Sequence, residues 1–426
     1  MPNNLPRVLI VSNNPLSTTE NNGKTLASLF NAYDAQQIGQ LYFQSDLPTV
    51  NIHSYFRITD SDTAKRVFLP RNSVGRIVHP VTSLSKVSSY NPTSRLKKSS
   101  FLRYIREMLW LPVLNNSELL RWSDSVRPQI VFFLAGDSLF AYKIVELLCS
   151  RYSIPRVVYV TDDYISKTKS ISPFFWIRRH DIEQALRIAA NKSILFLTIS
   201  DKMRRVFKNL FDVDSCIFRN EMVSMTRQTG EALIRREDEP VVLVYAGGLH
   251  YNRWNVLAQL AHAIQASNNI CQTKLHLNIY CTQKVNNRVV RALNIPSASS
   301  YLGSVTRSEL EKIYVDCQVL VHVEAFDKRS RDAVALSFST KITEYLALNR
   351  CILAVGPSEV ASIEYLMDCA ICITNPSSIT TQAVGQLVDP MFRAKYASLA
   401  EEKVKHGEAH GITSKEFSER LRMIVQ

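Results

Sequence analysis

The sequence predicts an α/β protein of two open, largely parallel sheets arranged in series, and three observations predict it. Short apolar runs rich in Val, Ile and aromatic residues alternate with longer helix-like segments along the whole chain, as expected of strands joined by helical crossovers. At 426 residues the chain exceeds what one hydrophobic core usually organises. Residues 221–240 are polar and charged, with few large apolar side chains after Met225, and read as the connection between two domains.

The strand candidates of the first half are RVLIVS from Arg7, QLYF from Gln40, QIVFFLA from Gln129, RVVYVTD from Arg156, ILFLTIS from Ile194 and SCIFRN from Ser215. Those of the second half are VVLVYAG from Val241, LHLNIYC from Leu275, SSYLG from Ser299, QVLVHVE from Gln318, CILAVG from Cys351 and AICITN from Ala370. The expected organisation is a first Rossmann-like domain over 1–222, a linker over 223–239, a second Rossmann-like domain over 240–405 and a terminal segment over 406–426. Open parallel sheets bind ligands beyond the carboxyl ends of their strands, so two such domains facing across a cleft would present a ligand edge on each wall.

Composition narrows the class. Hydrophobic residues at 46% and charged residues at 21% suit a folded, well-buried chain rather than a disordered one. The longest apolar runs, such as 130–135 and 194–197, fall far short of the roughly 20 residues that span a bilayer. The apolar stretch at 8–11 is too short for a signal peptide, so a cytoplasmic protein is expected. The eight cysteines are scattered, and Cys281, Cys317, Cys351 and Cys372 lie in apolar runs, as reduced structural thiols do. Cys369 and Cys372 form a CxxC, but no second Cys or His pair stands at zinc-ligand spacing. Of the nine histidines only His406 and His410 stand in an HxxxH and none in an HExxH, and neither a metal nor another cofactor is expected. The net charge of +13 is uneven: residues 1–220 hold 29 Lys and Arg against 17 Asp and Glu, and residues 221–426 hold 22 against 21. A basic first half suits nucleic acid or anionic lipid headgroups. No interleaving of aromatic and basic residues marks a single-strand-binding groove, so nucleic acid is not the expected partner.

Candidate site residues follow the strands. After the first comes a long polar loop that reaches Asn22 and Gly23 before a helical pattern starts near Leu26. A glycine there lets backbone amides approach a phosphate or sugar, and it equally suits a plain strand-to-helix turn, since neither GxGxxG nor GK[ST] is present. In the second half, Gly247 and Gly248 follow a strand, and Arg253 stands where a helix begins, suited to gripping phosphate oxygens or to solvent. The stretch from Gln318 ends a strand at 322–324, continues as a polar basic loop to Ser337, and offers Ser339 or Thr340 as the cap of a helix carrying Lys341 and Glu344. Lys341 and Glu344 are three apart and share a face. Glu344 near a helix start is explained by the macrodipole alone, whereas Lys341 there is disfavoured unless an anionic ligand is present.

FSTKITEYLALNRCILAVGP, ILFLTISDKMRRVFKNLF followed by Arg219 and Asn220, and YLGSVTRSELEKIYVDCQVLVHVE resemble segments of the two-domain GT-B glycosyltransferases, specifically those similar to family 4 and its bacterial surface-polysaccharide members. The resemblance runs through most of the chain. It implies a nucleotide-sugar donor, Glu344 on the donor ribose, Lys341 and Arg253 on the diphosphate, and a Tyr301 to Gly303 turn near the base. The final KEFSERLRMIVQ resembles the family's last helix, which crosses back onto the first domain. One departure stands out: the family's two glutamates with seven residues between them are broken here, because Leu336 occupies the first position. Glu324 could take over the contact with the transferred sugar.

A base for the acceptor hydroxyl is sought in the first domain, where Asp162 and Asp163 follow one strand and Asp137 another. Adjacent carboxylates raise one another's pKa, and the same residues also suit helix caps. The segment with Arg95, Lys97, Lys98, Arg103 and Arg106 carries Phe101, Ile105, Met108 and Leu109 at helical spacing and ends in Trp110. It reads as a basic helix lying on an anionic membrane, or as a core helix with a solvated basic face. The resemblance implies glycan or lipid-linked acceptors. A nucleotide-sugar epimerase of the same fold and a non-catalytic binding protein are the alternatives.

Overall fold

The computed structural model describes residues 5–18, 21–68, 74–81, 100–165, 170, 172–220, 239–406 and 411–425. The chain divides into two compact units, Met1–Glu221 with Gly411–Gln426, and Met222–His410. The expected linker at 223–239 falls almost wholly outside the described residues, as do Arg95, Lys97 and Lys98.

Unit 1 runs β1 (Val8–Ser12), α1 (Asn21–Leu29), β2 (Ile38–Tyr42), β3 (Ser54–Arg57), α2 (Asp60–Phe68), β4 (Arg76–Val78), α3 (Ser100–Trp110), α4 (Ser117–Val126), β5 (Ile130–Ala135), α5 (Leu139–Tyr152), β6 (Arg156–Val160), α6 (Pro173–Asn191), β7 (Ser193–Thr198), α7 (Asp201–Phe211) and β8 (Cys216–Ile217). Its eight strands lie in the order β4-β3-β2-β1-β5-β6-β7-β8, parallel except for β4. Strands β1, β5 and β6 are buried at every residue, which is why they read as unbroken apolar runs. The order reverses between β1 and β5, where Val8 to Val11 pair with Ile130 to Phe133.

Unit 2 runs β9 (Val241–Ala246), α8 (Arg253–Asn268), β10 (Leu275–Tyr280), α9 (Asn287–Leu293), β11 (Ser299–Gly303), α10 (Arg307–Asp316), β12 (Val319–Val323), α11 (Lys328–Val334), α12 (Lys341–Ala347), β13 (Cys351–Val355), α13 (Ala361–Leu366), β14 (Ile371–Ile373), α14 (Thr381–Gly385) and α15 (Pro390–Lys405). The wholly parallel sheet has the order β11-β10-β9-β12-β13-β14, the doubly wound arrangement whose ligands bind where the order reverses. That point lies between β9 and β12, which pair only through Val319 with Leu243 and Leu320 with Val244. Their carboxyl ends therefore part.

All twelve expected strands are present. Two are additional: β3 and β4 are 4 and 3 residues long and include Ser54, Arg57 and Arg76, so they lack the apolar run that marks the others. The region expected to be a basic loop from 325 to 337 contains α11, which starts where the Asp327 carboxylate accepts the Ser330 N–H. Neither Ser339 nor Thr340 caps α12 through its side chain. Thr340 holds the cap position in helical conformation, and its carbonyl accepts from the Thr343 hydroxyl.

The last helix, α16 (Ser414–Val425), belongs to unit 1. Phe417 is fully buried with its ring edge-on to Phe30 at 5.5 Å and Phe132 at 5.9 Å. Because Phe132 lies in the middle of β5, this contact ties the end of the chain to the centre of the unit 1 sheet. Replacing Phe417 by Ala should destabilise unit 1 by about 3–5 kcal/mol, seen as a lower midpoint in urea unfolding followed by circular dichroism. An unchanged midpoint would show that α16 is dispensable.

Candidate functional site

In unit 2 the parted ends of β9 and β12 are bridged by side chains. Arg253, the first residue of α8, donates from Nε to Glu324 Oε2 at 3.0 Å and from one terminal nitrogen to Oε1 at 2.8 Å. The fork is buried, with 16% of the arginine and 3% of the glutamate side chain exposed. Beside it, Asn252 Nδ2 donates to Asp327 Oδ2 at 3.2 Å. Residues Tyr251 and Asn252 both take left-handed backbone conformations, with φ of 52° and 57°. That local strain turns the chain sharply into α8. A Cβ on Gly248 would stand 2.5 Å from the His250 ring, so a side chain there would have to displace that exposed imidazole.

Glu324 was expected to touch the transferred sugar. Instead both of its oxygens are engaged by Arg253, and His322 Nε2 lies 3.5 Å from Oε1. Arg253 was expected on a diphosphate and is in turn held by Glu324. Burial pushes the Glu324 carboxyl up, while Arg253 pulls it down. His322 is held to about 3 by burial, then by the charges of Arg253 and Lys341.

Lys341 heads α12, and it makes no hydrogen bond and no ion pair among the described residues. Burial pushes its ammonium down to about 8, Glu344 opposes this, and Arg253 and Arg307 add to it. Those couplings join Lys341, Arg253, His322, Arg307 and Glu344 into one charged cluster. Glu344, expected on a ribose, accepts from Arg307 at 3.1 Å and 3.0 Å through its two oxygens. Arg307 also donates to Glu311 at 2.7 Å. Sequence reading missed Arg307 because the pairing spans 37 residues, and its only local signal is that it follows the Thr306 cap of α10. Tyr301 and Gly303, expected in a turn, lie in the edge strand β11, where Gly303 is the last residue at φ +74° with open space beside its Cα.

In unit 1 the equivalent reversal point carries a small cavity of about 60 Å³ lined by Ser12, Asn13, Asn14, Asn22, Asp137 and Tyr164 among others. Gln40 of β2 shapes its floor, donating to Ser12 Oγ at 2.7 Å and the Asn14 carbonyl at 3.0 Å while accepting from Leu16 N–H at 2.9 Å. Gly23 was expected just before a helix, with backbone free to meet a ligand. It lies inside α1, and a Cβ there would stand 2.2 Å from the Pro15 carbonyl oxygen, so the chain's own loop fills that space.

A second cavity, of about 240 Å³, adjoins the first through Asp137 and Tyr164 and is also lined by Arg103, Arg178, Arg179 and Asp163. Asp137 accepts from Arg103 at 2.8 Å and is 42% exposed. Asp163 is 1% exposed, accepts the Ile165 N–H at 3.0 Å and lies 3.8 Å from Arg179. Asp162 accepts from the Tyr164 hydroxyl at 3.4 Å. Neither aspartate caps the next helix, whose cap position is Ser172.

The basic segment that sequence assigned to a membrane surface forms α3 in the opposite sense to its charge. Trp110 is fully buried, stacks on Phe140 at 3.8 Å and donates to Asp60 at 2.9 Å. Arg103 and Arg106 engage Asp137 and Asp60. Phe101, Tyr104, Met108 and Leu111 are the exposed residues, at 49%, 40%, 59% and 41%.

Two domains, each with its ligand edge at a strand-order reversal, define the GT-B class of fold, and comparison with solved structures bears this out. The α,α-trehalose-phosphate synthase (UDP-forming) of Burkholderia xenovorans in complex with glucose-6-phosphate is 10% identical with a TM-score of 0.60, over 99% of this chain and 100% of that one. TarM is 11% identical with a TM-score of 0.59 over 100% of both chains. Anabaena HepE in complex with UDP-glucose is 11% identical with a TM-score of 0.53, over 98% of this chain and 99% of that one. At these identities the likeness is one of fold. No protein-family model and no curated protein sequence matches the chain.

The buried imidazole makes a pH-dependent contribution. His322 stays neutral when folded down to about 3, whereas the unfolded chain takes up its proton near 6.5. Its contribution to stability is therefore complete above about pH 6.5 and declines below it, by up to about 1.4 kcal/mol per pH unit. Glu324, pushed up by burial, acts in the opposite sense. His322→Phe should unfold with a shallower pH dependence than the parent between pH 7 and 5. Parallel urea midpoints across that range would show that the imidazole is not a buried neutral group.

Proposed function

We propose that the chain is a glycosyltransferase similar to family 4, with unit 2 holding a nucleotide-sugar donor and unit 1 an acceptor hydroxyl. The observation that carries this reading is Lys341: a partly buried ammonium with no ion-pair partner among the described residues, beside Arg253, at the carboxyl ends of the strands where an α/β sheet binds its ligand. A donor diphosphate supplies the missing negative charge. Glu344 accepts from ribose hydroxyls while Arg307 keeps it ionised and oriented, and the Tyr301 to Gly303 edge and the Gly248 loop border the base and sugar. Ser339 and Thr340 stand at the start of α12 beside this site.

In the reaction the acceptor oxygen bonds to the anomeric carbon, the bond from that carbon to the phosphate oxygen breaks, and the nucleoside diphosphate leaves with the electron pair. Arg253 and Lys341 stabilise its charge, with no metal in the reading. The acceptor proton passes to a carboxylate after β5 or β6. Asp137, exposed and shared by both cavities, is better suited than Asp162, and Asp163 is the least accessible of the three. Glu324 acts by positioning Arg253.

The acceptor is a glycan or lipid-linked saccharide of surface-polysaccharide synthesis, met at an anionic membrane on its cytoplasmic side. No helix among the described residues is long and apolar enough to cross a membrane. The exposed stripe of α3 supports peripheral contact, continued by Phe174, whose ring lies 5.2 Å from Phe101, and by Trp176 and Ile177 of α6.

A thermal-shift screen against UDP, GDP, ADP, CMP and their sugars should find one nucleotide that raises the melting temperature, with the shift lost in Lys341→Ala and weakening as pH rises through about 8. No shift with any nucleotide would overturn the donor reading. Separately, Phe101→Ser with Met108→Ser should lower partition onto phosphatidylglycerol vesicles by about tenfold or more without changing the nucleotide shift. Equal sedimentation of the double variant and the parent would remove the membrane contact.

A further inference from the structure

Unit 1 places two largely buried guanidinium groups side by side on the wall of one cavity. Arg178 and Arg179 are consecutive in α6 and both line the 240 Å³ cavity. Arg179 is 15% exposed, makes no hydrogen bond among the described residues, and has the Asp163 carboxylate at 3.8 Å, with Glu183 one helical turn on also acting on its charge. Its guanidinium lies over the Phe175 ring at 5.8 Å, which fixes the plane of the fork. Arg178 is 8% exposed and gives one terminal nitrogen to the Asp137 backbone carbonyl, with the Glu107 and Asp137 carboxylates 3.5 Å and 3.6 Å away. The Nε of each is buried without a hydrogen-bond partner. An arginine has five N–H donors, and buried donors are almost always satisfied. Two neighbouring arginines, one of them without a hydrogen bond among the described residues, on the wall of a cavity large enough for a ligand, suit a guest with several acceptor oxygens.

We infer that this cavity is the subsite for a phosphate or diphosphate group of the acceptor. The inference rests on the glycosyltransferase reading and adds the acceptor's chemical class: a phosphorylated molecule whose hydroxyl lies toward Asp137 and the smaller cavity of Ser12, Asn13 and Asn14. A tetrahedral phosphate presents oxygens in the geometry that an arginine fork matches, and Arg103, the third cation of the lining, stands at the more exposed side. Asp137 and Asp163 also line the cavity and set a limit on the anion, which must bond to the arginines from the side they leave open. The exposed Phe101 and Phe174 stand two residues from Arg103 and one from Phe175 of the lining, so one arginine cluster could receive a lipid phosphate from a bilayer or a soluble sugar phosphate. The chemistry is shared, and the source is a matter for the test.

The test uses the full chain in the Lys341→Ala background, so that anions at the donor site do not obscure the result. Isothermal titration with inorganic pyrophosphate should show binding that Arg179→Gln weakens by about tenfold or more, with Arg179→Lys in between because it keeps the charge and loses the fork. Arg103→Gln, at a more exposed position, gives a second variant should Arg179→Gln fold poorly, and it should weaken binding less. Vesicles of phosphatidylcholine with and without a polyprenyl phosphate, and titration with a hexose 1-phosphate, identify the source: Arg179-dependent binding of the first assigns a lipid acceptor, and of the second a soluble one. Pyrophosphate binding that is absent, or equal in parent and both variants, overturns the inference. Nucleotide-induced stabilisation, measured on the otherwise native chain with Arg179→Gln, should be unchanged, and its absence there and in the parent would indicate failure of the donor reading instead.

Discussion

The constraint on which unit 2 depends is the reversal of strand order between β9 and β12. At a reversal the connections leave toward opposite sides of the sheet, and here the two strands pair through only two residues. The opening exposes the carboxyl ends of both, and a lone carboxylate buried there would be costly. The Arg253–Glu324 fork resolves this by joining the loops after the two strands. Removing one partner of such a pair typically costs about 3–5 kcal/mol, because the other is left as an uncompensated buried charge. The pair therefore fixes where Arg253 points before any ligand arrives. Lys341 acquires its significance from this arrangement: Glu324 is engaged by Arg253, and Glu344, the carboxylate that acts on Lys341, is shared with Arg307.

Unit 1 solves the same topological problem with neutral groups. At its reversal point Gln40 holds the loop after β1 through its amide, and the cavity above is lined by asparagine and serine, donors and acceptors that suit hydroxyl-rich ligands. Its one charged lining residue is Asp137, shared with the adjoining cavity, and cations enter there, where α6 brings two arginines. The two units thus share an architecture and differ in the electrostatics of their ligand edges, which is the division of labour expected when one binds a diphosphate and the other a saccharide.

Strands buried on both faces were legible because burial alone dictates their composition, and the glycine loop with Arg253 was legible because the strand-to-helix junction is local. The partners of the site residues were not. Glu324 reaches Arg253 across 71 residues and Arg307 reaches Glu344 across 37, and no periodicity encodes such a meeting. Glu324 consequently read as a free carboxylate and Glu344 as a ribose ligand without a keeper. Helix α11 was hidden for a different reason: KRSRDAV has no apolar face to reveal, and its start is set by the Asp327 cap.

Helix α3 shows how periodicity can be right while the inference of sidedness is incomplete. Its apolar and charged residues do segregate at helical spacing, which the sequence displays. Which face turns inward is decided by partners elsewhere in the chain. Glu107 is buried because it accepts the Leu139 and Phe140 N–H groups at 3.1 Å and 2.9 Å, serving as the cap of α5, whose own Ser138 provides no side-chain bond. Arg106 pairs with Asp60, and Trp110 donates to the same carboxylate. With the charges committed to the interior, the stripe of Phe101, Tyr104, Met108 and Leu111 has nowhere to go but outward. An exposed apolar stripe on a folded protein is a candidate contact surface, and here it lies on the helix whose Arg103 lines the cavity of Arg178 and Arg179. The orientation of one helix thus links two features of unit 1, an apolar surface and a pair of guanidinium groups.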